Sequence, residues 1–211
     1  MSYSQAAQDT FVLYVNKFKQ NGTYIDIGAN HPSFNNNSFV LEQEFNWTGL
    51  LVEYDKSFEP MYVKDRSKSL YEIHDATTVN YKNILEINNF PKTIDYLSID
   101  LDVNNRSTLS TLELFDNTVF DTYKFACITF EHDIYSGDYY DTRRISRKIF
   151  NDRGYELVFP DVCVLWEGAY KPFEDWYVHT DLVDMDYINT IKSEISLNCK
   201  EIETRLRNKI N

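Results

Sequence analysis

The sequence predicts an α/β fold: a doubly wound, mostly parallel sheet of seven strands that closes with a C-terminal β-hairpin. Three observations predict it. Short apolar runs alternate with helix-patterned segments along most of the chain. The early runs each close on acidic residues or on a His-Asp pair. Two late apolar runs, 155–159 and 162–166, lie too close together for a crossover helix, so one of them must be antiparallel.

Residues 4–19 read as an opening helix, with Phe11, Val12, Val15 and Phe18 at helical spacing and Ser4 as its cap. The run 23–28 follows, and the rest of the chain is organised around it. Thr23-Tyr24-Ile25-Asp26-Ile27-Gly28-Ala29-Asn30 is an apolar strand, an acid and a glycine turn. Glycine has no Cβ, so such a turn can bring bare backbone N–H groups close to a ligand. A helix over 36–45 comes after the loop 31–35, and 48–53 is a second buried strand ending in Glu53. Residues 58–64 are helical. The strand 70–74 leads into Asp75-Ala76, and a short helix over 80–88 stops before Pro91. The strand 94–101 ends in acids and a helix over 107–115 follows. The strand 125–130 runs into Glu131-His132-Asp133. A Tyr/Gly/Asp-rich loop then precedes a basic helix, 142–151, whose Arg143, Arg144, Arg147 and Lys148 read as a solvated face. The tail, 184–210, reads as one amphipathic helix packed on the outside. No linker or repeat divides residues 1–211, which are expected to form a single domain.

The net charge of -12 repels phosphate backbones and anionic lipid, so neither nucleic acid nor a membrane surface is an expected partner. No apolar run approaches the roughly 20 residues of a membrane span, and the N-terminus has no basic-then-apolar leader, so a cytoplasmic location is expected. Cys127, Cys163 and Cys199 are far apart and form no CxxC pair, as reduced thiols would be.

Ligands on doubly wound sheets bind at the C-terminal ends of the strands. Asp26, Glu53, Asp100 with Asp102, and Glu131 all fall there, and so does His74-Asp75. Glu53 closes the second strand, where an acid can accept hydrogen bonds from both ribose hydroxyls. Asp75-Ala76 suits an adenine, with a carboxylate for the exocyclic amine and a small residue beside the ring. The turn Gly28-Ala29-Asn30-His31-Pro32 lacks the second and third glycines of a dinucleotide fingerprint. A ligand without phosphates is therefore favoured over a pyrophosphate, and S-adenosylmethionine (SAM) is such a ligand.

At these residues the chain resembles class I SAM-dependent methyltransferases and, within them, the FkbM-like group. The resemblance rests on Ser4-Gln5 with Gln8-Asp9, Asp26-Ile27-Gly28-Ala29-Asn30-His31-Pro32, Asn37-Ser38, Trp47-Thr48-Gly49 with Glu53, Tyr96-Leu97-Ser98-Ile99-Asp100-Leu101-Asp102, and Phe130-Glu131-His132-Asp133. It covers the first two thirds of the chain and implies a Rossmann-like fold. It also implies SAM contacts at Asp26, Gly28, Asn30, Glu53, Asp75 and Ala76, with Ser38 and Gln8 as additions and Asp100 near the SAM ammonium. The group mostly methylates hydroxyls, frequently on sugars, so a sugar or glycan acceptor is implied. Where the family often continues from aspartate to glycine, Asp102 is followed by Val103-Asn104.

Asp100 and Asp102 are two apart and point the same way on a continuing strand. With Glu131 and His132 at the end of the neighbouring strand, Asp100 is expected to bind Mg²⁺ or Mn²⁺. The layout resembles that of macrocin-type sugar O-methyltransferases. Asp102 is the expected general base and His132 its rival. Tyr135, Tyr139 and Tyr140 are placed over the acceptor, whereas His74 reads as packed. Two other functions fit parts of the pattern. Asp100-Leu101-Asp102 also looks like the D-x-D site of a metal-dependent glycosyltransferase, and the first half alone would serve a non-catalytic adenosine-binding module.

Overall fold

The computed structural model describes residues 2–208. Seven strands form one sheet: β1 Thr23–Ile27, β2 Thr48–Glu53, β3 Leu70–Ile73, β4 Thr93–Ile99, β5 Lys124–Glu131, β6 Tyr155–Trp166 and β7 Ala169–His179. Their order is β3-β2-β1-β4-β5-β7-β6. The first five run parallel, and β7 is antiparallel to both β5 and β6. The winding direction reverses between β1 and β4, which opens a crevice above their carboxyl ends.

Both faces of the central strands are covered, so these strands are apolar on both sides. Ile25, Leu50, Leu97, Ile128 and Phe130 face one core with Leu85 of α4 (Tyr81–Ile87), Leu112 and Phe115 of α5 (Ser107–Thr118) and Phe150 of α6 (Tyr140–Asp152). Tyr24, Leu51, Tyr96, Cys127 and Trp176 face the other. There they meet Phe11 of α1 (Gln8–Val15), Leu41 of α2 (Phe39–Phe45), Tyr62 of α3 (Glu59–Asp65), Ile188 of α7 (Met185–Ile191) and Leu206 of α8 (Cys199–Arg207). Each fully buried Leu or Phe contributes about 1.5–3 kcal/mol.

The expected hairpin forms, but from other residues. Runs 155–159 and 162–166 belong to one strand, β6, and the partner is β7. Pro160-Asp161 makes a bulge rather than a turn: Asp161 has φ 51° and the register slips between Phe159 and Val162. The turn is Glu167-Gly168, with φ 49° and 79°, the two positive values that a tight two-residue hairpin requires.

The opening helix is shorter than expected. Ala7 sits at φ 66° ahead of it, and Lys17 and Phe18 at φ 51° and 54° end it, leaving Phe18 outside the helical face. Ser4 is not the N-cap residue, which is Ala7, but its hydroxyl accepts from the first-turn Asp9 N–H at 3.3 Å and joins Ser2 Oγ and the Tyr3 N–H in donating to the buried Asp9 carboxylate. The tail is two helices. Between them, residues 192–198 run along the outer edge of β6, with Ser193 N–H donating to Val158 O and Cys163 N–H to Leu197 O. Asn198 and Glu201 form a capping box that starts α8. Lys209 and Ile210, the end of the expected helix, lie outside the described residues.

Candidate active site at the carboxyl ends of the strands

A cleft of about 720 Å³ opens above the switch point. That volume is within the range of cofactor pockets. The ends of β1 to β5 bring Gly28, Asn30, Glu53, Asp75, Ala76, Asp100, Asp102, Glu131 and Asp133 to its wall, along with Tyr54, His74 and Leu101. Six carboxylates line it (Glu53, Asp75, Asp100, Asp102, Glu131 and Asp133), and among the described residues no lysine or arginine does.

The glycine turn works differently from expectation. The Gly28 and Ala29 N–H groups both donate to Val52 O, at 2.9 and 3.1 Å. The Asn30 N–H donates to Glu53 Oε2 at 2.7 Å, and the His31 N–H to Asn30 Oδ1. No N–H from Gly28 to His31 is left for an anion, so this is no phosphate cradle. Gly28 has φ +81°, and a Cβ there would lie 1.7 Å from the Asp100 carbonyl oxygen. The glycine is needed for the close approach of the β1 and β4 ends, not to spare room for the ligand itself.

Asp26 and Ser38 sit beneath the cleft rather than on its wall. Ser38 Oγ donates to Asp26 Oδ2 at 2.6 Å, and the buried Arg66 donates to Ser38 Oγ, to Tyr24 and to Asn36. Arg66 also pairs with the equally buried Glu42 at 2.9 Å. Burial raises the Asp26 carboxyl to about 6, against the pull of Ser38 and Arg66. This network pins the loop 30–38 and so shapes the cleft from below. Gln8 is likewise buried, away from the wall.

Glu53 already accepts three backbone N–H groups: Asn30 on one oxygen, Tyr54 and Asp55 on the other. A carboxylate has about four lone-pair positions, so a ribose bound through two hydroxyls would displace at least one of these bonds. Asp75 uses Oδ1 on the Thr77 N–H and hydroxyl, which hold its carboxyl below its ordinary value. His74 is exposed on the wall and is not packed as expected.

The acidic end of the cleft is its most perturbed part. Burial pushes the Glu131 carboxyl well up, and the Asp100 charge, which shares a hydrogen bond with it, pushes it further. Glu174 stands directly across the β5–β7 ladder from Glu131. It is buried and raised for the same reasons, burial first and Asp100 second. Asp102 is more open and caps the Asn104 N–H at 2.9 Å. Across the cleft's rim, Tyr139 Oη donates to Asn104 Oδ1, tying the loop after β5 to the loop after β4.

His132 does not join this group. Successive residues of a strand point to opposite faces, so Glu131 faces the cleft while His132 turns toward α6. Its Nε2 lies 3.4 Å from Asp161 and 3.5 Å from Asp175, and neither ring nitrogen makes a hydrogen bond. The expected metal trio of Asp100, Glu131 and His132 is therefore not assembled, and His132 is not among the residues that line the cleft. Among the described residues, the trio whose ligand atoms lie within 4.8 Å of one another is His132, Asp161 and Asp175. Two guanidiniums occupy it. Arg147 grips Asp175 with both ends of its fork at 2.7 and 2.8 Å, and Arg143 binds Asp161 at 2.8 and 3.0 Å. Two carboxylates matched by two arginines leave no charge for a dication, so this is an ion-pair latch. Burial alone would raise Asp175, but Arg147 and His132 hold it well below the carboxylate range. Arg143 and Arg147 thus belong to the latch and not to a solvated face.

No protein-family model matches the sequence, and no curated protein sequence matches it. Solved structures do resemble the fold. A TehB-like SAM-dependent methyltransferase from Corynebacterium glutamicum superposes with a TM-score of 0.51 at 9% identity, over 82% of this chain and 88% of that one. A putative rRNA-methylase from Clostridium thermocellum gives 0.51 at 9%, over 84% and 99%. TrmK of M. capricolum, in complex with S-adenosyl-homocysteine, gives 0.50 at 13%, over 95% and 94%. With these stands the strand order, in which β7 is inserted antiparallel between β5 and β6.

The fold is that of the class I SAM-dependent methyltransferases. In this methyltransferase fold the cleft described above lies at the switch point. Sequence reasoning missed Glu174, Asp175 and Asp161 around it. The signal for Glu174 and Asp175 was the segment Phe173 to Val178, where Phe173, Trp176, Tyr177 and Val178 mark a strand that two acids interrupt. Buried acids inside a strand pattern are costly unless paired; Asp175 is paired with Arg147, whereas Glu174 Oε1 has no hydrogen-bond partner among the described residues. No helix among the described residues is long and apolar enough to cross a membrane.

Proposed function

We propose that the chain is a SAM-dependent O-methyltransferase whose acceptor is a hydroxyl of an uncharged sugar or glycan. The observation that carries this is the cleft of the methyltransferase fold: six carboxylates, no lysine or arginine among the described residues, and a glycine turn whose N–H groups are already taken. Carboxylates accept hydrogen bonds from hydroxyls and repel phosphates. Glu53 would hold the ribose of SAM, Asp75 and Ala76 its adenine, and Gly28, Asn30 and Asp100 its methionine end. The acceptor then enters over Asp102 and Glu131.

In the reaction, the acceptor oxygen attacks the SAM methyl carbon in line, the C–S bond breaks, and its electron pair stays on sulfur. The hydroxyl proton passes to a carboxylate. Asp102 is one candidate for that role, and Glu131 replaces His132 as its rival. Among the described residues the cleft carboxylates form no trio with ligand atoms within 4.8 Å of one another, so a Mg²⁺ or Mn²⁺ ion held by Asp100 and Glu131, which would lower the pKa of the hydroxyl, would need its remaining ligands from the acceptor or water.

The test is calorimetric titration with SAM and, separately, with UDP-sugars, followed by methyl-transfer assays before and after exhaustive chelation. SAM binding that Glu53→Ala weakens by about 1.5–3 kcal/mol is expected. Binding of UDP-sugars but not SAM would establish the glycosyltransferase reading instead. SAM binding without turnover on any hydroxyl acceptor would leave an adenosine-binding module. Full activity after chelation would remove the metal from the proposal.

A further inference from the structure

Beside the acidic end of the cleft the β6–β7 hairpin projects past its neighbour. β5 pairs with β7 only up to Glu131 opposite Glu174, and His132 and Asp133 add two bonds to Phe173 O. Ala169 to Pro172 continue beyond, paired only with β6. Four more residues reach about 13 Å further, on the carboxyl side of β5 where the cleft opens.

The projection is aromatic. Trp166 is 50% exposed and Tyr170 45% exposed near a tip turned by Glu167-Gly168, and Leu165 is exposed with them. Tyr135 bridges the tip and the cleft. It packs on Val164 and Phe173 at the hairpin's base, and its ring lies 6.4 Å from that of Trp166. It follows Asp133, which lines the cleft, by two residues. A wall therefore runs from the carboxylates through Tyr135 to Trp166.

We infer that this wall is a subsite for a second sugar ring of the acceptor, so that the substrate is a neutral oligosaccharide and not a single sugar. The inference rests on the sugar acceptor proposed above. A pyranose presents an apolar C–H face ringed by hydroxyls. An exposed indole and phenol offer the matching flat apolar surface with a polar handle, and the adjoining carboxylates take the hydroxyls. The hairpin's own residues stand outside the cleft wall, but β7 pairs with β5 up to Glu131, which lines the cleft, so a second ring on the hairpin would neighbour the ring that is methylated.

Of the three tryptophans, Trp47 and Trp176 are fully buried, so solvent-sensitive emission belongs to Trp166. The full chain is titrated with maltotetraose, cellotetraose, mannotetraose and chitotetraose and with their monosaccharides. Trp166 emission and acrylamide quenching are followed, and SAM affinity is measured in the same preparation. The expected result is a blue shift and protection from acrylamide by at least one tetrasaccharide but not by its monosaccharide. By calorimetry, Trp166→Ala and Tyr135→Ala weaken that sugar about tenfold, while Trp166→Phe retains it. SAM binding with no protection by any tetrasaccharide overturns the subsite and leaves the methyltransferase reading standing. Protection that grows with protein concentration in the absence of sugar also overturns it, in favour of a contact between copies of the chain. Loss of SAM binding overturns the methyltransferase reading, and the subsite with it.

Discussion

Replacing Arg147 with methionine tests whether the latch behind the active-site strand holds the fold together. Arg147 binds Asp175 through Nε and a terminal nitrogen, and the Asp175 side chain is completely buried. Methionine keeps much of the stem's volume and removes the charge. Asp175 is then left with the Asp161 N–H at 2.8 Å and the Tyr177 hydroxyl at 3.0 Å. Breaking a buried pair by removing one partner costs about 3–5 kcal/mol, and the two remaining donors put this case at the lower end, about 3 kcal/mol. That is a large part of the 5–15 kcal/mol of a typical domain. Urea unfolding at pH 7, with the slope checked for constancy, measures it.

The pH dependence carries a sign. In the native chain Asp175 is held below its ordinary value. Its contribution is therefore fully present above the unfolded pKa of about 3.9 and is lost as the pH falls through the lower native value. In Arg147→Met, burial is poorly opposed and the carboxyl rises above 3.9. The variant then gains stability as the pH falls from neutrality, and the gap to the native chain narrows. Arg147→Met/Asp175→Leu should recover most of the loss at neutral pH. A gap below about 1 kcal/mol at pH 7, or a double variant no better than the single one, would refute the reasoning.

Two further perturbations address the cleft directly. Gly28→Ala forces a Cβ against the Asp100 carbonyl at a positive φ. It should lose at least about 1–2 kcal/mol of stability and weaken SAM together with it, which thermal melts and calorimetry read in parallel; unchanged values in both would count against the close approach described. Glu131→Gln and Asp102→Asn separate the two candidate bases. Because the Glu131 carboxyl is raised, its proton leaves above the ordinary carboxylate range, so the acid limb of the pH–rate profile should sit high. If Glu131 is the base, Glu131→Gln removes that limb and cuts turnover by about 10²–10⁴-fold. If Asp102→Asn shows that loss instead and the limb lies in the ordinary range, Asp102 is the base.

The parallel half of the fold was legible because its strands are buried on both faces. Runs such as Leu50 to Val52 and Tyr96 to Ile99 have no other home. The acids that end them were legible for the complementary reason, that a carboxylate closing an apolar run marks an open edge. The last third was harder. Pro160-Asp161 carries the residues of a turn, yet in β6 it is a bulge, since a bulge uses the same left-handed backbone. Glu174 and Asp175 broke the apolar pattern of β7, and among the described residues only Asp175 has a long-range counter-charge, Arg147; Glu174 is buried, with the like charge of Asp100 raising its carboxyl further. His132 was grouped with Glu131 as a metal ligand through adjacency: one position along a strand reverses the side chain's direction, so neighbours of Glu131 in sequence face away from it.

The bulge at Pro160-Asp161 also bears on how the molecule behaves in a crowded solution. β6 is the terminal strand of the sheet, and a flat terminal strand offers its free amides and carbonyls to any passing chain. Here proline supplies no amide, Asp161 twists the strand, and the segment 192–198 takes up Val158 O, Asp161 O and the Cys163 N–H. At the opposite margin β3 is only four residues long. Neither margin can template a further strand, which protects this aromatic-rich sheet from growing into a fibril by edge addition.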